Sequence, residues 1–569
     1  MVNLIIDGKE IQASEGMTLL DACGLAGVDI PTLCWMKDLN DIASCRVCLV
    51  DCDGELVASC NTQVREGMVV KTATPCVVAA RRANVQTLME GHRYECGACL
   101  RQETCALRAL ARDFNVEESE WYLPEKALWD ESFPLIRDAS KCIKCMRCVA
   151  ECAKVQYCSV WEHSGAGPNM NVMVKEGLPI NAAGCALCGQ CITHCPTGAL
   201  TARDDTAKVM DALLDPAVMT VVQVAPAVRA AWGEGVGVAR EDATPGRMAS
   251  ALRALGFDKV FDTDFPADLT IMEEGSEFVE FMSSDKPRPM FTSCCPGWVR
   301  FAKLHYPQFV GRLSSAKSPH QMEGAVVKNT LAAEAKEAGK RIFVVSVMPC
   351  VAKKYECSVP QLATEQGSDV DAVLTVREFD RMLKMFRIDC NALEETDWDS
   401  PLGLSTGAAT IFGRTGGVME AALRSAVFLI TGSNPDFSAC DTAESTPEKP
   451  WITKELDVAG TPVRIAVASG LGNTAKLLDA IEAGEVDLDF VEIMACPGGC
   501  VGGGGQPIEF NKELAKERAA NLNALDEADT LRYSHENPDI LKLYEGWLEK
   551  PLSHTSHEWL HTDQETWDI

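Results

Sequence analysis

The sequence predicts a multidomain protein of mixed class, α+β in its N-terminal third and α/β with parallel sheets in the remainder. Three observations predict this. The chain of 569 residues is longer than one compact core serves. Its 27 cysteines cluster at 34–60, 96–105, 142–158 and 185–195, and none follows until Cys294. Beyond residue 209 four short apolar runs recur: TVVQVAP (220–226), IFVVSVMP (342–349), VRIAVASG (463–470) and FVEIMA (490–495). Such runs suit strands covered on both faces, and helical patterns such as NTAKLLDAIEAG lie between them.

In chain order, VNLII and EIQA flank the turn Asp7-Gly8-Lys9, and TLLDACGLAG follows with helical spacing. This predicts a small β-rich domain with one helix over residues 1–78. A His- and Cys-rich segment follows at 79–125. Residues 126–208 contain an internal repeat, C-x2-C-x2-C-x3-C at Cys142 and again at Cys185. The large α/β domain occupies 209–569. Cys350 and Cys496 come just after apolar runs, at the carboxyl ends of strands, where open α/β sheets build their sites.

Composition narrows the function. The net charge of −29 argues against sequence-independent binding to nucleic acid or anionic membrane. No apolar run approaches the ~20 residues that cross a bilayer. The N-terminus MVNLIIDGKEIQ lacks the pattern of a secretory signal, so the cytoplasm is the expected compartment. An odd number of cysteines in a large chain without an export signal points to reduced, metal-bound thiols rather than disulfides.

The repeat is the strongest local signal. Three closely spaced thiolates suit three corners of a cubane, with the fourth cysteine ligating the other cluster. One 4Fe–4S cluster is assigned to Cys142, Cys145, Cys148 and Cys195, the other to Cys185, Cys188, Cys191 and Cys152. The second repeat ends in Cys-Pro, as the bacterial ferredoxin run does; the first ends Cys152-Ala153. Zinc is the alternative, although its sites pair two C-x2-C units across a longer gap. Cys34, Cys45, Cys48 and Cys60 form C-x10-C-x2-C-x11-C on a small β-rich module; the spacing is not the plant-ferredoxin one, and a 2Fe–2S centre there rests partly on the resemblance given below. Cys23 and Cys52 lie outside that pattern and read as small buried hydrophobes. His92, Cys96, Cys99 and Cys105 offer one imidazole and three thiolates, for a 4Fe–4S cluster or a Cys3His zinc site.

In the large domain, cysteines recur in TSCCPGW (292–298), MPCVAKKYE (348–356) and MACPGGCVGGGGQP (494–507). Adjacent Cys294 and Cys295 do not easily bind one cluster together, which frees one for other work. Lys353 brings a positive donor close, and the Gly-rich run 498–505 is expected to pack backbone against a bulky inorganic group.

These three motifs resemble the signature set of the iron-only (FeFe) hydrogenases, clostridial type with four accessory iron–sulfur clusters. The resemblance covers essentially the whole chain, including the C-terminal SHTSHEWLHT (553–562). The N-terminal third also resembles the large iron–sulfur subunit of respiratory complex I. The family match implies four domains: 2Fe–2S ferredoxin-like, His-ligated 4Fe–4S, bacterial ferredoxin-like with two 4Fe–4S clusters, and H-cluster. The H-cluster is a 4Fe–4S cubane joined to a two-iron unit with CO, cyanide and a bridging dithiolate amine. Cys295, Cys350, Cys496 and Cys500 match the cubane ligands, with Cys500 bridging. Cys294 matches the thiol that passes protons to the amine, and Lys353 the residue that hydrogen-bonds a cyanide. Ala225, Pro226, Met348, Pro349, Phe412 and Met494 match the pocket around the two irons. A proton relay of Cys294, Glu277, Ser314 and Glu274, in that order outward, is implied. The alternative for EEGSEFVE is an exposed acidic helix face.

Two positions depart from the family. An Arg common at the outer end of the relay is Phe281 here. Where Gln is common after Ser-Pro the chain has His320, either a titratable group near the pocket or a packed core histidine. The expected function is reversible proton reduction and H2 oxidation by a monomer. Ferredoxin or a similar low-potential carrier is the expected electron partner, and maturation proteins supply the two-iron unit. Alternatives are a hydrogen sensor, a non-catalytic iron–sulfur assembly protein, or an electron-transfer subunit of a larger dehydrogenase. Arg81, Arg82, Arg93 and Arg101 are the expected basic docking face for ferredoxin. Cys76, Cys158, Cys357, Cys390 and Cys440, with Cys23 and Cys52, are left without a role.

Overall fold

A computed structural model describes residues 1–116, 128–364, 367–443 and 445–567. The N-terminal chain forms a five-stranded mixed sheet in the order Lys9–Ala13, Val2–Ile6, Val69–Lys71, Leu49–Cys52 and Glu55–Ala58. Its first hairpin turns on two residues, Asp7 and Gly8, both with positive φ, and Lys9 already pairs with Ile6. That left-handed pair matches the twist of the strands. Helix Leu19–Leu25, capped by the Thr18 hydroxyl, buries Leu19, Ala22 and Cys23 against the sheet.

Two helices cross the expected domain divisions. Helix Pro75–Glu90 runs through residue 78, because Thr74 caps it and Pro75 occupies its first turn. Helix Thr206–Leu214 likewise spans 208/209. The division at 125/126 lies outside the described residues.

The cysteine repeat is a repeat of backbone conformation. Lys144 and Leu187, each two residues after the first cysteine, have positive φ, and so do Met146 and Gly189, each four residues after it. Each left-handed turn brings an amide to the first thiol: Lys144 N lies 3.4 Å from Cys142 Sγ and Leu187 N 3.4 Å from Cys185 Sγ. A short helix follows in both halves, Arg147–Ala150 and Gln190–Thr193. Without a proline after Cys152 the first half continues as a π-turn over Glu151–Val155, whereas Pro196 stops the second.

The large domain holds two four-stranded sheets. The first, in the order Lys259–Asp262, Val218–Val224, Arg341–Met348 and Ala372–Thr375, is parallel throughout. In the second, Met290–Phe291, Phe490–Met494 and Thr461–Ser469 are parallel. Its edge strand Ile452–Val458 pairs antiparallel with Thr461–Ser469 in a hairpin, a departure from the expected parallel sheets. The four apolar runs are all strands, and Val218–Val224 is buried at every residue. Ala225, Cys294, Cys350 and Cys496 each follow a parallel strand, so both sheets supply one site from their carboxyl ends. Among the described residues no helix is long and apolar enough to cross a membrane.

The ferredoxin-like repeat is locked to the large domain through glycine. A Cβ on Gly504 would stand 2.6 Å from Gly189 Cα. Gly504→Ala is therefore expected to cost about 1–3 kcal/mol, read as a lower melting temperature. Gly24→Ala, in open space within helix Leu19–Leu25, is expected to hold or raise it.

Candidate active site

The two sheets and the loops after them enclose a cavity of about 80 Å³. Ala225, Pro226, Met348, Pro349, Phe412 and Met494 all line it, with Cys294, Cys295, Cys350, Cys500 and Lys353. Ala227, Thr263, Pro296, Pro319, His320, Gly413 and Val418 also line it. Cys496 stands just outside and feels the charge of Cys350, Cys295 and Cys500, so the four expected ligands share one locale. Burial, with the charge of Cys295, pushes Cys350 up to about 12. Four crowded thiols that resist ionising individually are a donor set that a cationic metal cluster allows to ionise together. The residues present thus fit the H-cluster.

The glycine run packs protein backbone on protein backbone. A Cβ on Gly503 would meet Pro349 O at 2.3 Å, and one on Gly499, at φ +88, Thr415 N at 2.6 Å. These glycines let protein backbone pack on protein backbone around the cavity. They do not line it.

Lys353 is held by a buried polar network. Its Nζ donates to Cys294 O at 3.1 Å and to Glu356 Oε2 at 2.8 Å. Against burial, Lys353 and His320 hold the Glu356 carboxyl down at about 2. Against its own burial, Glu356 raises Lys353, which stays an ammonium. His320 lines the cavity and meets Ser346 Oγ at 3.1 Å through Nδ1 and the Glu356 carboxylate through Nε2. Burial and then Lys353 push it down to about 4, so it is a neutral, hydrogen-bonded core histidine at physiological pH.

Glu274, Glu277 and Ser314 come together beside Cys294, but not in the expected order. Both glutamates lie on helix Asp264–Met282, which packs on helices Pro319–Thr330 and Gly417–Thr431. Glu274 is fully enclosed, and its charge is felt at Cys294. Glu277 is only half-buried and accepts from Ser314 Oγ at 2.7 Å and Ser315 Oγ at 2.9 Å. Glu274 is therefore the inner residue and Glu277 the outer one, the reverse of the expected sequence. Burial, and then the charge of Glu277, pushes Glu274 up to about 8, while Ser314 acts the other way. Phe281 is buried in an apolar cluster with Phe278 and Met290, and offers no polar exit.

The eight cysteines of the repeat gather in two groups. Cys142, Cys145, Cys148 and Cys195 line one small cavity. Cys152, Cys185, Cys188 and Cys191 line another, joined by Cys158, which has no place in the repeat spacing. Cys34 and Cys48 are lowered by hydrogen bonds from Cys45 and Cys60, and the charge of Cys34 reaches both Cys48 and Cys60. His92 Nδ1 lies 3.0 Å from Lys141 O, the orientation that leaves Nε2 for a metal. Cys105 feels the charge of Cys99, and Arg101 between them donates to Cys195 O at 3.1 Å. Among the described residues, no three Cys, His, Asp or Glu side chains close on a point as a single ion requires. A tetrahedral zinc, with Zn–S about 2.3 Å, draws its ligands tighter.

Contacts between these groups form a fork. Asn40 Nδ2 donates to Cys34 O at 2.6 Å and to Cys145 O at 2.9 Å, joining the N-terminal group to the first repeat. The His92 group joins the same repeat through Arg101 and Cys195. Cys148 feels Cys191, and Cys496 Sγ lies 3.6 Å from Cys188 O, which leads on to the central cavity.

The expected basic docking face is not formed. Arg81 and Arg101 are buried, donating to Leu49 O and Cys195 O, and Arg93 pairs with Glu95. Of the four, Arg82 is exposed.

Comparison with known proteins agrees with this geometry. Residues 218–504 match the iron-only hydrogenase large subunit, C-terminal domain, residues 1–75 a 2Fe–2S cluster binding domain, and residues 512–564 the iron hydrogenase small subunit. The chain is 45% identical to the NADP-reducing hydrogenase subunit HndD of Solidesulfovibrio fructosivorans, over 99% of this chain and 98% of that one. It is 36% identical to iron hydrogenase 1 of Clostridium pasteurianum, over 99% of both. A solved FeFe-hydrogenase HydA1 from Chlamydomonas reinhardtii, 40% identical, superposes with a TM-score of 0.57 over 63% of this chain and 98% of that one. Matched along its length by two hydrogenases, and by the large-subunit family across the cavity itself, the chain belongs to the iron-only (FeFe) hydrogenases.

Proposed function

We propose that this hydrogenase interconverts H2 with two protons and two electrons in the cavity between its sheets, with Cys295, Cys350, Cys496 and Cys500 holding the H-cluster. One observation carries the assignment: Cys294, Lys353, three of the four thiols and six apolar wall residues line a single cavity. When bound, the two-iron unit supplies the metal centre at which H2 is made or cleaved. The apolar wall excludes water. Lys353, kept charged by Glu356, is the donor toward a cyanide. Cys294, whose thiol burial holds protonated, is the last protein group to hold the proton. Behind it the proton moves through Glu274, Ser314 and Glu277, in that order outward.

Four accessory clusters are assigned to the groups described above. The Cys34 and His92 groups are two entries that merge at Cys142–Cys195, and the Cys152–Cys191 group passes electrons on through Cys188 and Cys496. Ferredoxin or a similar low-potential carrier is the proposed partner. The HndD likeness favours a second reading, in which a partner subunit takes the electrons; its stable co-purification with this chain distinguishes the two.

Fully matured protein is expected to evolve H2 from reduced methyl viologen; no H2 would contradict the assignment. Cys294→Ser is expected to keep the full iron content while turnover falls at least about a hundredfold, since proton-transfer groups of this kind contribute about 10²–10⁴. Unchanged turnover would remove Cys294 from the relay.

Glu274 also predicts a pH dependence of stability. Its carboxyl, raised from 4.5 to about 8, favours the folded state fully below pH 4.5, and the contribution is lost as the pH rises toward 8. The melting temperature of Glu274→Gln relative to wild type should therefore climb across that window and level off above it.

A further inference from the structure

Phe281 closes the side of the relay where a charged residue would lead to solvent, yet Glu277 has a second hydrogen-bonded neighbour. Ser315 Oγ lies 2.9 Å from Glu277 Oε1 and 2.8 Å from His561 Nδ1. His561 is buried, and its Nε2 lies 3.0 Å from Glu273 Oε2. Glu273 is itself oriented by Tyr544 Oη at 2.6 Å and by the Leu552 amide at 2.9 Å. One helical turn before His561, at the surface, stands His557, the two ring centres 4.5 Å apart. The C-terminal segment is held against the relay by its backbone: Thr562 N donates to Ser315 O and Lys317 N to Leu560 O, both at 2.8 Å.

We propose that Ser315, His561 and His557 form the proton outlet of this hydrogenase, in place of an exit past residue 281. The proposal rests on the relay reading of Glu277 above. For an inward step, His557 takes a proton from solvent. His561 turns its free Nδ1 toward His557, accepts that proton there and turns back as an imidazolium with Nδ1–H on Ser315 and Nε2–H on Glu273. His561 passes its Nδ1 proton to Ser315 Oγ as the Ser315 hydroxyl proton moves to the Glu277 carboxylate. His561 returns to the neutral Nε2–H tautomer that Glu273 favours, and rotation of the Ser315 hydroxyl resets the path. No net charge stays on the histidine. Glu273, Glu277, Glu280, Tyr544 and His557 are the titratable groups around this path; burial and then His561 push the His557 imidazole down, and the three carboxylates act the other way.

The test uses matured holoenzyme with His561→Gln, His557→Gln and Ser315→Ala. Turnover in weak buffer is expected to fall at least about tenfold for His561→Gln and Ser315→Ala and several-fold for His557→Gln. Millimolar imidazole should restore much of the loss in the two histidine variants, which a merely structural role would not allow. A second readout needs no turnover: exchange of the enclosed Glu274 carboxyl proton into D2O, followed by stopped-flow infrared, should slow in His561→Gln. Full turnover and unchanged exchange in His561→Gln would overturn the outlet, as would a loss that imidazole leaves untouched. If His561→Gln fails to fold, unchanged turnover in the exposed His557→Gln overturns it. Slowed exchange in a chain that makes no H2 would uphold the outlet while counting against the hydrogenase chemistry.

Discussion

Four thiols crowded beside an apolar cavity, with one ammonium for countercharge, set the constraint on which the rest of the structure depends. Such a group needs a rigid cage, because each thiol resists ionisation until a metal cluster shares the charge. The cage comes from two sheets that end at the same place. Each ligand loop starts where a buried parallel strand stops, and glycines at 499 and 502–505 let those loops pack backbone to backbone. A side chain at any of these positions would push the cage apart.

Around that cage, electrons and protons arrive from different directions through different chemistry. In the proposed function electrons enter through the N-terminal domains, where hydrogen bonds to cysteine carbonyls join one cysteine group to the next: Asn40 to Cys34 and Cys145, Arg101 to Cys195. The proposed proton route runs along helix Asp264–Met282 and the C-terminal segment, where carboxyl, hydroxyl and imidazole groups alternate. Lys353 stands at the meeting point, tied through Glu356 to His320 and through Cys294 O to the proton side. Burial, and then Glu277, pushes the enclosed Glu274 carboxyl up to about 8, which favours its neutral form beside the cavity.

Much of this was legible in the sequence because covalent spacing fixes it. The C-x2-C-x2-C repeat dictates its own left-handed turns, and continuous apolar runs such as TVVQVAP leave no exposed face. What was not legible depends on partners distant in sequence. EEGSEFVE has the composition of a solvated face, and its i, i+3 glutamates do not say which end points inward. Glu273 and Glu277 are satisfied by Tyr544, His561, Ser314 and Ser315, up to 288 residues away. Arg81 and Arg101 looked like a docking face, but each serves a buried carbonyl. Cys158 fell outside the repeat spacing and still lines a cluster cavity, because the π-turn after Cys152 leads the chain back to it.

The central proposal is that the thiols of the central cavity hold a two-iron unit with CO and cyanide. An infrared spectrum of the matured protein tests this most directly. Sharp CO and cyanide stretching bands are expected in the wild type, persisting in Cys294→Ser and vanishing in Cys500→Ser. A wild-type spectrum without those bands, or bands that survive Cys500→Ser unchanged, would contradict it.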